Sequence, residues 1–86
     1  MDNRRKRLLF RARHMGTNEN DLLFGSFAEA HLGLLPDSLL DQFETLLGCN
    51  DPDLFAWVSG SKPVPSAYDN ALMILLKQHR LPTAPQ

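Results

Sequence analysis

Apolar positions along this chain recur at helical spacing, in blocks separated by glycine, proline or capping residues. Residues 4–14 place Leu8, Leu9 and Ala12 at that spacing, with Phe10 beside them, and predict a first helix ending near Gly16. Thr17 is placed to cap a second helix, since its hydroxyl can accept from the amide of Glu19 or Asn20. Leu23, Phe27, Ala30 and Leu34 form the stripe of that helix, and Gly33 is its predicted stop. Pro36 and Asp37 open a third helix, with proline at the first helical position. Leu39, Leu40, Phe43, Leu46 and Leu47 give it the clearest amphipathic pattern in the chain, and Gly48 ends it. Asn50 or Asp51 caps a short fourth helix with Pro52 in its first turn, apolar residues Leu54, Phe55, Trp57 and Val58, and Gly60 at its close. Residues 61–65 are too rich in proline for a helix or a central strand and read as an extended connector. Pro65 or Ser66 starts a fifth helix through Tyr68, Leu72, Leu75, Leu76 and His79. No two-residue alternation is sustained, so no sheet is predicted. The expectation is all-α, a small five-helix bundle, as a single helical domain over residues 1–86 with flexible termini at about 1–4 and 81–86.

Size narrows the function classes. A chain of 86 residues buries a modest core and does not enclose a large cofactor together with a substrate cleft, which argues against a free-standing enzyme. The single cysteine, Cys49, excludes an internal disulfide and fits a reducing compartment. The longest apolar runs fall far short of a membrane span, and no apolar signal-peptide core follows the basic N-terminus. The first thirteen residues are arginine-rich in the manner of a mitochondrial presequence, but they run straight into the first helix, so that reading is set aside. A cytoplasmic, bacterial protein is expected.

A net charge of −1 conceals an uneven distribution: six of the nine Lys and Arg residues lie in positions 4–13. None lies between His14 and Ser61, where eight of the ten acids fall. The molecule is a basic arm on an acidic body. The arm can be a solvated helix with self-complementary charge, or it can steer toward an acidic protein partner. The alternative is a small nucleic-acid-associated protein binding through Arg4-Arg5-Lys6-Arg7. Against it, the acidic body repels phosphate and the arm has no basic–aromatic interleaving.

Packing and capping account for most residues of chemical interest. Cys49 with His31 or His79 would be a nucleophile and base without a local signature, and the histidines are expected on solvent faces. His14, His31 and His79 have no metal-ligand spacing, and no CxxC exists. Asp51-Pro52-Asp53 lacks the further oxygen ligands of a cation loop. Trp57 reads as a packing residue, and the isolated glycines make no phosphate cradle. The exception is the corner at residues 11–21. Arg11, Arg13 and His14 precede a turn at Gly16, and Glu19 and Asp21 follow it. Polar groups of both signs at one turn suit a docking surface as well as a cap and a helix N-terminus.

Residues 7–31 resemble the small flavinylation factors of succinate dehydrogenase, the SdhE family of bacteria and mitochondrial succinate dehydrogenase assembly factor 2. The family hallmark is Arg-Gly-x-x-Glu at the end of the first helix, then an aspartate and an apolar helix. This chain supplies Gly16, Glu19 and Asp21 at the right spacing. Asp51-Pro52-Asp53-Leu54-Phe55-Ala56-Trp57 is similar to a second family signature, and Lys62-Pro63 falls where the family often has that pair. The one departure is Met15 at the hallmark arginine, since a thioether cannot replace a five-donor guanidinium. His14 and Arg13 are the nearest substitutes. The resemblance implies a five-helix factor that binds the flavoprotein subunit of succinate dehydrogenase or fumarate reductase and promotes its covalent FAD attachment. It implies no catalytic residue and no cofactor or metal of the chain's own, the FAD being the client's. It implies client contact at Gly16 and Glu19, with Met15, His14, Arg13, Arg11, Asp21 and Asp51 around them. A monomer that neither binds nucleic acid nor inserts into a membrane is expected.

Overall fold

Four of the five α-helices start at a residue whose side chain caps the first turn, Asp2, Thr17, Asn50 and Asn70, and the third starts after Pro36 without one. A computed structural model describes residues 2–79. Among them lie five α-helices: α1 (Asn3–Arg13), α2 (Asn18–His31), α3 (Asp37–Leu47), α4 (Asp51–Ser59) and α5 (Ala71–Gln78). Single 3₁₀ turns occur at Leu32–Leu34 and Ser66–Tyr68, and the described residues contain no strand. The chain is a small all-α bundle of five helices. Thr17 Oγ1 accepts from the Asn20 amide at 3.3 Å, and Asn50 Oδ1 accepts from the Asp53 amide at 3.4 Å. Each satisfies one amide that a helix N-terminus otherwise leaves orphaned.

The elements differ from the sequence reading in several places, and Pro36, expected at the first position of α3, stands just before it as the N-cap. Helix α1 begins at Asn3, because Asp2 Oδ1 accepts from the Arg5 amide at 2.8 Å. Residues 3 and 4 are thus helical, and residues 81–86 lie outside the described residues. Helix α5 begins at Ala71 instead of Pro65 or Ser66, since Asn70 is extended and its Oδ1 accepts from the Met73 amide at 3.1 Å. In α2 the inward stripe is Leu23, Phe24, Phe27 and Ala28, continued by Leu32, while Ala30 is exposed and Leu34 is 84% exposed. After His31 the chain tightens to three residues per turn, which carries Leu34 off the face that 3.6-residue spacing assigns it.

The core is built on three aromatic rings from two helices. Phe24, Phe27 and Phe43 are fully buried, with Phe43 centroids 6.3 Å from Phe24 and 5.7 Å from Phe27. Leu40, Leu46, Leu54, Leu72, Met73 and Leu76 close around them. Leu8 and Ala12 bury the inner face of α1 against the same cluster. Two arginines of the basic run fasten α1 to the body. Arg5 donates to the carbonyls of Leu32 at 2.9 Å and Leu35 at 2.7 Å, the orphan end of α2 and its 3₁₀ turn. Arg4 donates to Asp41 at 2.6 Å and Glu44 at 2.8 Å on α3. The arm's charge is in part structural.

Candidate functional site

The turn between α1 and α2 pivots on Gly16, whose φ of +123° is open to glycine and strained for other residues. Asp21, in the first turn of α2, reaches back across it. Its Oδ1 accepts from the amide of Met15 and, at 3.3 Å, from that of Gly16. Asp21 is therefore a staple that holds the turn, its charge also favoured by the α2 dipole. Asp51, at the start of α4, comes up beside the same glycine: its Oδ2 lies 2.9 Å from where a Gly16 Cβ would stand. Beneath them Asn20 is fully buried and donates from Nδ2 to the Asp51 carbonyl at 2.8 Å, while its Oδ1 has no hydrogen-bond partner among the described residues. Met15 is half-buried and packs on the core. Glu19 is exposed beside the staple, and no hydrogen bond engages its carboxylate among the described residues.

The structure thus gathers Met15, Gly16, Asp21 and Asp51 at one corner with Glu19 on its rim. It disperses the other three expected residues. Arg13 donates from Nε to Glu29 Oε2 at 2.9 Å and so joins the end of α1 to the last turn of α2. His14 stacks on Phe10, with ring centroids 4.1 Å apart, and its Nδ1–H donates to the Phe10 carbonyl at 2.7 Å. Arg11 stands on the outward face of α1. Arg13 and His14 are thus both engaged within the chain, Arg13 with Glu29 and His14 with Phe10.

Sequence reasoning missed Asn20. One signal was available: Asn20, Leu23, Phe24 and Phe27 follow i, i+3, i+4, i+7, which puts the amide on the buried face. The expectation of solvent-facing histidines holds for His14 only. His31 and His79 are half-buried, with ring centroids 5.8 Å apart edge to face. Burial, and secondarily the neighbouring His31, hold His79 below the usual imidazole range. Cys49 donates from Sγ to the Thr45 carbonyl at 3.8 Å, its thiol raises the pKa of the neighbouring Tyr68, and Trp57 stacks on Tyr68 at 5.2 Å. Among the described residues no group of three or more His, Cys, Asp or Glu side chains is arranged to hold a metal ion. No helix of the described residues is long and apolar enough to cross a membrane.

A family model described as "Flavinator of succinate dehydrogenase" matches residues 6–80. The chain belongs to this family. Similar curated proteins include succinate dehydrogenase assembly factor 2-B, mitochondrial, of Drosophila persimilis, 38% identical over 81 residues that cover 92% of this chain and 52% of the relative. The assembly factor 2 of Aedes aegypti is 40% identical over 77 residues, 87% of this chain and 48% of the relative. That of Dictyostelium discoideum is 37% identical over 75 residues, 87% of this chain and 53% of the relative. The flavinator-family chain spans about half the length of these relatives. Their names overturn the expectation of a bacterial cytoplasmic protein, for all three are mitochondrial proteins of eukaryotes. Neither a single thiol nor the lack of a long apolar run distinguishes a bacterial cytoplasm from a mitochondrial interior, which is why composition misled on this point.

Proposed function

We propose that this chain is an assembly factor that binds the flavoprotein subunit of succinate dehydrogenase, or of the related fumarate reductase, and promotes covalent FAD attachment to a histidine of that subunit. The family match over residues 6–80 carries the reading. The corner geometry supports it: an exposed carboxylate at Glu19 stands beside a turn stapled by Asp21, with Asp51 close against Gly16. A stapled corner presents Glu19 at little ordering cost when a partner's basic or amide-lined groove closes on it.

The chain acts by orientation. Docked at this corner, it holds the client in the conformation where the client's own histidine and bound FAD meet, so the acceleration comes from positioning groups that belong to the client. The chain supplies no cofactor and no reacting group, and is not itself an enzyme. Its setting is mitochondrial, as the relatives' names are. The test is co-expression with candidate flavoproteins, then in-gel flavin fluorescence of the denatured client. Covalent flavin rises with the wild-type chain and falls to the background level with Glu19→Ala. Equal fluorescence with and without the chain refutes the reading.

A further inference from the structure

The cations of helix α1 fall into a paired and an unpaired set. Arg4, Arg5 and Arg13 are engaged by Asp41 and Glu44, by Asp2, and by Glu29. Lys6, Arg7 and Arg11 are exposed and form no ion pair among the described residues. With Phe10 they line an open depression of about 380 Å³. Phe10 is 63% exposed, more than any other aromatic residue described, and it is held in place by the His14 ring stacked on it. An exposed aromatic fixed among unpaired cations offers an apolar floor within a positive rim.

We infer that this face docks an acidic polypeptide segment carrying an apolar side chain. The segment's carboxylates meet Lys6, Arg7 and Arg11, and its apolar side chain fills the depression against Phe10. Charge complementarity selects the occupant, because the acids within ion-pair reach of the arm, Asp2, Asp37, Asp41, Glu44 and Glu29, are already committed to Arg4, Arg5 and Arg13. The apolar floor favours a polypeptide over a nucleic acid, whose phosphates would use the rim and leave the floor empty. A single helix face is a small interface, so binding is weak, salt-dependent and dominated by the aromatic anchor. This inference does not rest on the client reading above.

An NMR titration of the isotope-labelled chain tests it, with a short synthetic peptide of Glu and Asp around a Leu-Leu centre as probe. The amides of Lys6, Arg7, Phe10 and Arg11 shift on addition, and affinity falls with added salt. Phe10→Ser, and separately the pair Arg7→Glu with Arg11→Glu, weaken binding by about tenfold. The same peptide with a Ser-Ser centre binds more weakly than the Leu-Leu form. Undisturbed shifts at Leu46, Leu54 and Leu72 report that each variant keeps its core. Shifts absent from this face, or unchanged affinity in Phe10→Ser, overturn the inference. So does tighter binding of duplex DNA at the same residues, which makes the face a nucleic-acid site, or concentration-dependent self-association mapped there, which makes its occupant a second copy.

Discussion

Oδ2 of Asp51 stands 2.9 Å from the point that a Cβ on Gly16 would occupy. Two segments that lie far apart in the sequence, the α1–α2 turn and the start of α4, therefore meet at a residue with no side chain. The φ of +123° at Gly16 adds backbone strain to any replacement. Gly16→Ala is expected to lower stability by about 1–3 kcal/mol, read as a shift in denaturation midpoint at constant slope. Gly16→Arg, which also drives a guanidinium stem into Asp51, lowers it further. Asp51→Ala removes the clash but not the strain, so Gly16→Ala and Asp51→Ala together are less than additive. Strict additivity would show that the two residues do not press on one another.

Asn20 is the residue that brings Asp51 to that place. Its buried Nδ2 holds the Asp51 carbonyl at 2.8 Å, across the α2–α4 boundary. Asn20→Ala leaves that carbonyl without its partner and is expected to cost about 1–3 kcal/mol. Hydrogen exchange at the first-turn amides of α4 should quicken more than exchange in α3, because the α4 N-terminus loses its tether. Uniform acceleration across the bundle would mean that Asn20 supports the core at large rather than this corner.

On the proposed function, the corner separates client binding from stability. Glu19 is exposed in the first turn of α2, so Glu19→Ala loses only a dipole contribution of about 0.3–1 kcal/mol while client binding is expected to disappear. Met15→Arg is the reciprocal change. It restores the five-donor fork of the family hallmark, and calorimetric titration of the client flavoprotein should show tighter binding than the wild type. Unchanged or weaker affinity would show that Met15 does not stand in the arginine's place.

Local chemistry was legible in the sequence, and long-range contacts were not. Thr17 as a cap, Pro36 and Asp37 as a helix start, and the Leu40-Phe43-Leu47 face each follow from properties of a few neighbouring residues. The corner at Gly16 was visible as a change of charge across a glycine. What escaped were contacts between distant segments: Arg13 drawn onto Glu29, Asn20 reaching Asp51, and His31 meeting His79. No periodicity encodes those pairings. The onset of α5 was missed for a different reason, because Asn70 outcompetes Ser66 as a cap once Asp69 has left helical geometry.

The His79 site gives the fold a pH dependence of predictable sign. His79 sits at the end of α5 against α2, edge-on to Phe27 at 5.6 Å and within 2.8 Å of the Ser26 hydroxyl. Burial first, and the adjacent His31 second, lower the His79 pKa below the usual 6.5. The unfolded chain therefore binds this proton at a higher pH than the folded chain does. Stability from this site is complete above the usual value and is lost as pH falls from there toward the folded-state pKa. Thermal melts between roughly pH 8 and pH 5 should show Tm falling on the acid side, with a shallower fall in His79→Gln. Asp2 does not confuse the measurement. The hydrogen bond from the Arg5 amide holds its carboxyl below the usual 3.8, so its contribution is lost only in more acidic solution. An identical acid-side slope in wild type and His79→Gln would show that His79 remains as free to take up a proton in the fold as in the unfolded chain.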